Sequence, residues 1–110
     1  MRRARSRKEW EEIAYDILHE AVYRLENWCE RYYGGHPLEC YYAHEDMEPY
    51  EIFVMYGRAK EEELEKMPES IYRKIAKEIK EFIREKIEVW EEEVRRWEEE
   101  MRRWEEEMEE

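Results

Sequence analysis

Threonine and glutamine are absent from this sequence and Asn27 is its single asparagine, whereas Glu, Arg, Lys and Tyr are abundant. Depletion of amide side chains with enrichment in Glu and Lys is typical of hyperthermophile proteins, because ion pairs cost less desolvation at high temperature. The composition therefore predicts a hyperthermophilic source, archaeal or archaeal-viral. A designed sequence is the competing interpretation, since the C-terminal repeats described below are unusually regular.

Long apolar runs are absent too. No stretch approaches the roughly 18 consecutive apolar residues that a membrane-spanning helix needs. The basic N-terminus is not followed by the apolar segment of a secretory signal. From these two absences we expect a cytoplasmic protein with no membrane contact.

The usual catalytic signatures are missing as well. The sequence contains no Gly-rich phosphate loop and no Ser-His-Asp pattern. Pairs of carboxylates occur throughout, and a run of Glu is usually a solvated helix face. We therefore predict no enzymatic activity and no cofactor. The length of 110 residues indicates one domain with a modest core.

The charge is acidic overall and unevenly distributed. The formal net charge is −12 at pH 7, yet five of the first eight residues are Arg or Lys. Because an acidic body repels phosphate, broad nucleic-acid binding is not expected. The basic arm is the exception. Its arginines are the contacts that an alternative function, a regulator touching nucleic acid, would use: Arg2, Arg3, Arg5 and Arg7.

The C-terminal residues carry a seven-residue repeat. Trp recurs at the d position and Val or Met at the a position of successive heptads: Trp90, Val94, Trp97, Met101, Trp104 and Met108. Every position between them is charged, and one helix cannot bury such a stripe alone. The pattern predicts an interface with a second copy of the chain, most simply in a dimer, or with a basic partner helix.

The first half of the chain indicates a helix followed by two short strands. Apolar residues at three- and four-residue steps predict a helix over 9–33, which Gly34-Gly35 ends. Residues 38–44 and 50–57 are interpreted as a β-hairpin, because 50–57 is rich in aromatic and β-branched side chains. A helical turn beginning at Pro37 is the alternative for the first strand.

The second half predicts a short helix over 58–67 and then one helix from about Glu69 nearly to the end. Its apolar face is broad as far as Ile87 and narrows to strict a and d positions after Trp90. The predicted fold class is thus α+β and mainly helical: helix, β-hairpin, short helix, and a long C-terminal helix that projects as a coiled-coil-like segment. The predicted divisions are a basic flexible arm over 1–8, a globular body over 9–90 and a projecting amphipathic helix over 91–110.

Both cysteines and two of the three histidines fall close together in the sequence: Cys29, His36, Cys40 and His44. Two Cys and two His can bind Zn²⁺ tetrahedrally, but this set lacks the close Cys-x₂₋₄-Cys spacing of zinc sites. We expect buried free thiols with a structural role and no metal. A Cys29–Cys40 disulfide is the second interpretation, because hyperthermophiles form cytosolic disulfides, and a metal site is the third.

Arg31 and His36 form an R-x₄-H spacing that is similar to the motif of HEPN-type ribonucleases, over six residues only. That resemblance implies an Arg and a His facing a cleft in a helical bundle. The function we predict first is a small acidic protein–protein interaction module that self-associates through its Trp/Met heptads. The alternatives are the nucleic-acid regulator described above and a small metal-binding or ribonuclease-like protein using residues 29–44.

Overall fold

The computed structural model describes residues 4–109, and over that range it consists of helices and connecting loops without a strand. The elements in chain order are α1 (Arg7–Asn27), α2 (Pro37–Glu45), α3 (Pro49–Met55), α4 (Glu61–Lys66) and α5 (Glu69–Met108). Helix α1 continues without a break into a π-helical segment, Trp28–Tyr32. Its N-terminus is capped by Ser6, whose hydroxyl accepts a hydrogen bond of 3.2 Å from the Glu9 amide.

The predicted β-hairpin is wrong, and with it the α+β class, because residues 38–44 and 50–57 lie mainly in α2 and α3. Each helix begins at a proline in its first turn, Pro37 or Pro49, where the missing amide proton is no loss. The aromatic and β-branched residues of α3 are used for burial instead of pairing, since Ile52 and Phe53 are fully buried. Tertiary packing therefore overrides the local β-propensity.

The core is organised around α5. Its buried positions recur every four residues and are all isoleucine: Ile71, Ile75, Ile79, Ile83 and Ile87. Helices α1 and α2 pack on this face, with smaller contributions from α3. Polar contacts fix the arrangement at its edges. Lys80 donates to the carbonyl oxygens of Glu45 and Met47, at 2.5 and 2.7 Å, and so caps the C-terminal end of α2.

The long C-terminal helix extends well past this body. Its 40 residues span about 60 Å at 1.5 Å per residue. The molecule measures 81 × 23 × 19 Å and has a radius of gyration of 19.0 Å, against about 13 Å for a compact chain of this size. The prediction of a long C-terminal helix is thereby confirmed, and among residues 4–109 no other helix covers the apolar side chains of its last turns.

Candidate functional site

The predicted interface residues divide into a covered and an uncovered part. Trp90 and Val94 are half-buried at the end of the body. The remaining four are between 63% and 77% exposed, and we call them the open stripe: Trp97, Met101, Trp104 and Met108. They line a shallow groove of about 550 Å³ with Glu100 and Glu105 at its rim. An apolar row this exposed on a monomer is typical of an interaction surface.

The boundary between the two parts is set by a residue that the sequence did not associate with this surface. The ring of His36 packs edge-on against Trp90, with centroids 5.6 Å apart, and against Trp97 at 6.3 Å. The same ring caps α2, because its Nδ1 accepts a hydrogen bond of 3.1 Å from the Leu38 amide. His36 therefore contacts the stripe with its ring and caps α2 with its Nδ1.

The open stripe lies on the same side of α5 as the core. At about 100° per residue, its four members fall within the arc of roughly 160° covered by the five buried isoleucines of α5. Helices α1 and α2 occupy this side along the body, and from Trp97 onward the apolar side chains on it are exposed. A partner on the stripe would thus extend the core in the direction of the helix axis.

The charges beside the stripe are acidic. All e and g positions from 91 to 107 are Glu, while Arg residues take b and c positions. Arg96 forms ion pairs with Glu92 at 3.9 Å and Glu93 at 3.6 Å along the same helix. Such exposed pairs help a projecting helix to persist but contribute little individually. The apolar groove is consequently bordered by carboxylates on both sides.

The cysteines form a disulfide, so the expectation of free thiols is wrong. Cys29 lies in the π-helical segment and Cys40 in α2, with Cα atoms 5.4 Å apart. The turn at Gly34-Gly35 reverses the chain and brings the two helical segments side by side. The spacing of the two cysteines did not predict this pairing, because residues 38–44 were assigned to a strand. A strand would give the Cys40 side chain a different orientation from the one it has in α2.

His44 lies beside the disulfide, one helical turn after Cys40. Each of Cys29, Cys40 and His44 offers one possible metal-ligand atom, a sulfur or a ring nitrogen. These three atoms all lie within 4.8 Å of one another. The Nδ1 of His44 is 3.9 Å from the Cys40 sulfur and 2.7 Å from the Cys40 carbonyl oxygen, and the Nε2 is 2.6 Å from the Tyr56 hydroxyl. Three of the four predicted ligand candidates therefore converge, and His36 does not.

The basic arm is only partly described. Arg2 and Arg3 lie outside the described residues. Arg5 packs over the Trp10 ring, 4.9 Å from its centroid, and forms an ion pair of 3.5 Å with Glu63. Arg7 is the first residue of α1 and pairs with Glu11 at 3.4 Å. Both described arginines thus contact acidic groups of their own chain.

Arg31 and His36 do not take the positions that the resemblance to HEPN-type ribonucleases implies. Arg31 is exposed in the π-helical segment, and His36 caps α2 with its ring turned to the α5 tryptophans.

Comparisons with protein-family models, with curated proteins and with solved structures found no match. Among residues 4–109, no helix combines the length and apolar character needed to cross a membrane.

Proposed function

We propose that this chain is a protein–protein interaction module that self-associates as an antiparallel dimer through the open stripe. The observation that carries the proposal is the exposure of Trp97, Met101, Trp104 and Met108 on a helix that continues the core face past the body. Burying a Trp side chain removes roughly 150–250 Å² from water and stabilises by about 2–3 kcal/mol or more. Opposed exposed Glu pairs cost a few tenths of a kcal/mol each. The stabilisation from burying the Trp side chains is therefore larger than the repulsion between the Glu side chains.

The position of the body favours the antiparallel orientation. In a parallel dimer both bodies would lie at the same level, with α1 and α2 of each copy on the inner side of α5. Those helices would have to fit between two α5 axes that pack only about 8–10 Å apart. In an antiparallel dimer each body lies beyond the partner's Met108, and the two stripes meet without obstruction.

The order of side chains along the stripe favours the same orientation. Antiparallel coiled coils pair an a position with a d position of the other helix. In the register that places Trp97 opposite Met108 of the other chain, Met101 also faces Trp104. Every layer then contains one Trp and one Met, a broad ring against a thin flexible chain whose sulfur contacts aromatic rings favourably. A parallel dimer would instead stack Trp against Trp in each d layer.

The interface is short, which sets the expected affinity. Two Trp and two Met from each chain bury roughly 1,000 Å² in total, at the lower end of specific interfaces. We therefore expect a weak dimer whose population depends on protein concentration. Screening of the acidic rims by salt should strengthen it, because the rims oppose Glu to Glu.

The test is sedimentation velocity over a concentration series of the full chain and of a double variant, Trp97→Glu with Trp104→Glu. The parent should pass from 14.1 kDa toward twice that mass, and the variant should stay monomeric with unchanged helical circular dichroism. The control is Arg95→Ala with Arg102→Ala, which makes the same change in net charge at b positions outside the stripe. It should associate like the parent.

Two results overturn the proposal. A stripe variant that associates as strongly as the parent shows that the interface lies elsewhere. A parent that remains monomeric at every concentration and salt shows that the occupant is a different molecule. The carboxylate rims would then point to a basic partner helix.

A further inference from the structure

We propose that, once the Cys29–Cys40 disulfide is reduced, both sulfurs and the Nδ1 of His44 bind one zinc ion. The three residues are buried, and their ligand atoms lie within 4.8 Å of one another. No other group of three or more Cys, His, Asp or Glu side chains between residues 4 and 109 has this geometry. The inference is independent of self-association through α5.

The distances already approach those of a zinc site. Tetrahedral zinc with Zn–S of about 2.3 Å and Zn–N of about 2.0 Å places a sulfur and a nitrogen ligand about 3.5 Å apart. The Cys40 sulfur and the His44 Nδ1 are 3.9 Å apart, because i and i+4 residues share one face of α2. The two sulfurs must move to about 3.8 Å apart, which side-chain rotation allows once the bond between them is broken.

Tyr56 supplies the orientation that a ligating histidine requires. Metal-bound imidazoles usually donate their other N–H to a nearby oxygen, which fixes the tautomer. The Tyr56 hydroxyl lies 2.6 Å from the His44 Nε2. In the disulfide form the Nδ1–H donates to the Cys40 carbonyl and the Nε2 accepts from Tyr56. In the zinc form the imidazole turns so that Nδ1 leaves the Cys40 carbonyl oxygen and its lone pair faces the ion. The ring proton then resides on Nε2, which donates it to the Tyr56 oxygen.

The chemistry balances with a dithiol reductant. The reductant transfers two electrons and two protons to the disulfide, becomes a cyclic disulfide itself, and leaves two thiols on Cys29 and Cys40. Binding of Zn²⁺ then releases both thiol protons to solvent and forms two Zn–S bonds and one Zn–N bond. Two thiolates cancel the charge of the ion, which suits a buried position. Water completes the tetrahedron.

The experiment uses the full chain, reduced with a dithiol, desalted without oxygen and titrated with Co²⁺ as a spectroscopic substitute for Zn²⁺. We expect one equivalent to bind with the intense visible absorption of tetrahedral cobalt and a near-ultraviolet thiolate charge-transfer band. Added Zn²⁺ should displace it. The oxidised chain should give neither band, because a disulfide offers no thiolate.

Variants separate the three ligands from their surroundings. Cys40→Ser should abolish the charge-transfer intensity of one thiolate and weaken binding, and His44→Gln should weaken binding at least tenfold. Tyr56→Phe keeps all three ligands and removes the orienting hydroxyl, so it should weaken binding about 10–100-fold. The control is His19→Gln, which removes the exposed third histidine on α1 and should leave the titration unchanged.

The proposal fails if the reduced chain gives no tetrahedral cobalt spectrum, or if His44→Gln and Tyr56→Phe both bind as tightly as the parent. Partial unfolding of a reduced or variant chain does not obscure the result. Binding would then refold the chain, and the cobalt bands and the helical circular dichroism would rise together. Cobalt bands with octahedral intensity only would indicate carboxylate binding at the acidic surface and would also overturn it.

Discussion

The imidazole of His36 meets the indole of Trp97 edge-on, with ring centroids 6.3 Å apart. This contact joins the N-terminal cap of α2 to the point where α5 leaves the body. It also separates two environments along one heptad stripe. The same ring packs against Trp90, which is half-buried, whereas Met101, Trp104 and Met108 are between 67% and 77% exposed.

Two substitutions at His36 should separate its capping role from its ring contact. His36→Ser keeps a side-chain acceptor for the Leu38 amide, so the stability of α2 should change little. His36→Ala removes the acceptor as well and should cost about 0.5–2 kcal/mol in the free energy of unfolding. Both variants remove the ring and should shift Trp emission to the red. Urea unfolding and fluorescence check the two effects, and equal stability of the variants would contradict the capping role.

The core should be sensitive to charge at Ile79 and insensitive to it at an exposed apolar position of the same helix. Ile79 is fully buried, so Ile79→Asp places a carboxylate without a partner in the interior and should cost about 3–5 kcal/mol. Val89 is 56% exposed, and Val89→Asp is the matched control with little expected loss. Thermal unfolding measures both. Equal melting temperatures would show that α5 does not use the isoleucine row as its core face.

Alkaline pH should destabilise the fold through Tyr41. Burial raises the pKa of Tyr41 far above its ordinary value of 10.0, and the hydrogen bond to Glu30 and the charges of Glu30 and Glu26 add to the shift. Above that ordinary value the unfolded chain loses the phenol proton while the folded chain keeps it. Folding then takes up a proton, and stability falls with rising pH by about 1.4 kcal/mol per pH unit for this group.

Lys86 should act in the same direction. Burial lowers its pKa, but its bonds to the carboxylates of Glu26 and Glu30 outweigh burial and raise the pKa overall. Tyr41→Phe should therefore reduce the steepness of the alkaline loss without abolishing it. Tyr23→Phe, at a side chain 65% exposed, is the control. Urea unfolding from about pH 9 to about pH 11 measures the slopes, and identical slopes for parent and Tyr41→Phe would contradict the assignment.

The long helix was predictable because its signals are local and repeated. Ile75, Ile79, Ile83 and Ile87 follow four-residue steps, and the Trp/Met heptads continue them. Residues 38–57 were harder because their composition favours strands, and only contacts with the rest of the chain decide between strand and helix. The prolines at 37 and 49 carried the correct signal, since each opens a helix at its first turn.

The convergence of Cys29, Cys40 and His44 follows directly once that segment is helical. An i,i+4 spacing puts Cys40 and His44 on one face of α2. The short turn after Tyr32 reverses the chain, so this face of α2 lies against Cys29. A strand would have placed the two side chains about 13 Å apart. The distinct position of His36 could not be read from spacing, because it depends on where α5 passes the N-terminus of α2.

The antiparallel orientation of the proposed dimer makes a geometric prediction that a parallel one contradicts. A spin label can be attached at Glu92→Cys or at Glu106→Cys, two exposed f positions on the side of α5 away from the stripe. The native cysteines are joined in a disulfide and do not compete for the label. With Trp97 opposite Met108 of the other chain, the axial separation between labels is about 30 Å at position 92 and about 10 Å at position 106. A parallel dimer places both pairs of labels level and gives equal distances. Dipolar distance measurement on the two labelled dimers distinguishes these cases, and equal distances at the two positions would rule out the antiparallel arrangement while leaving the stripe as the interface.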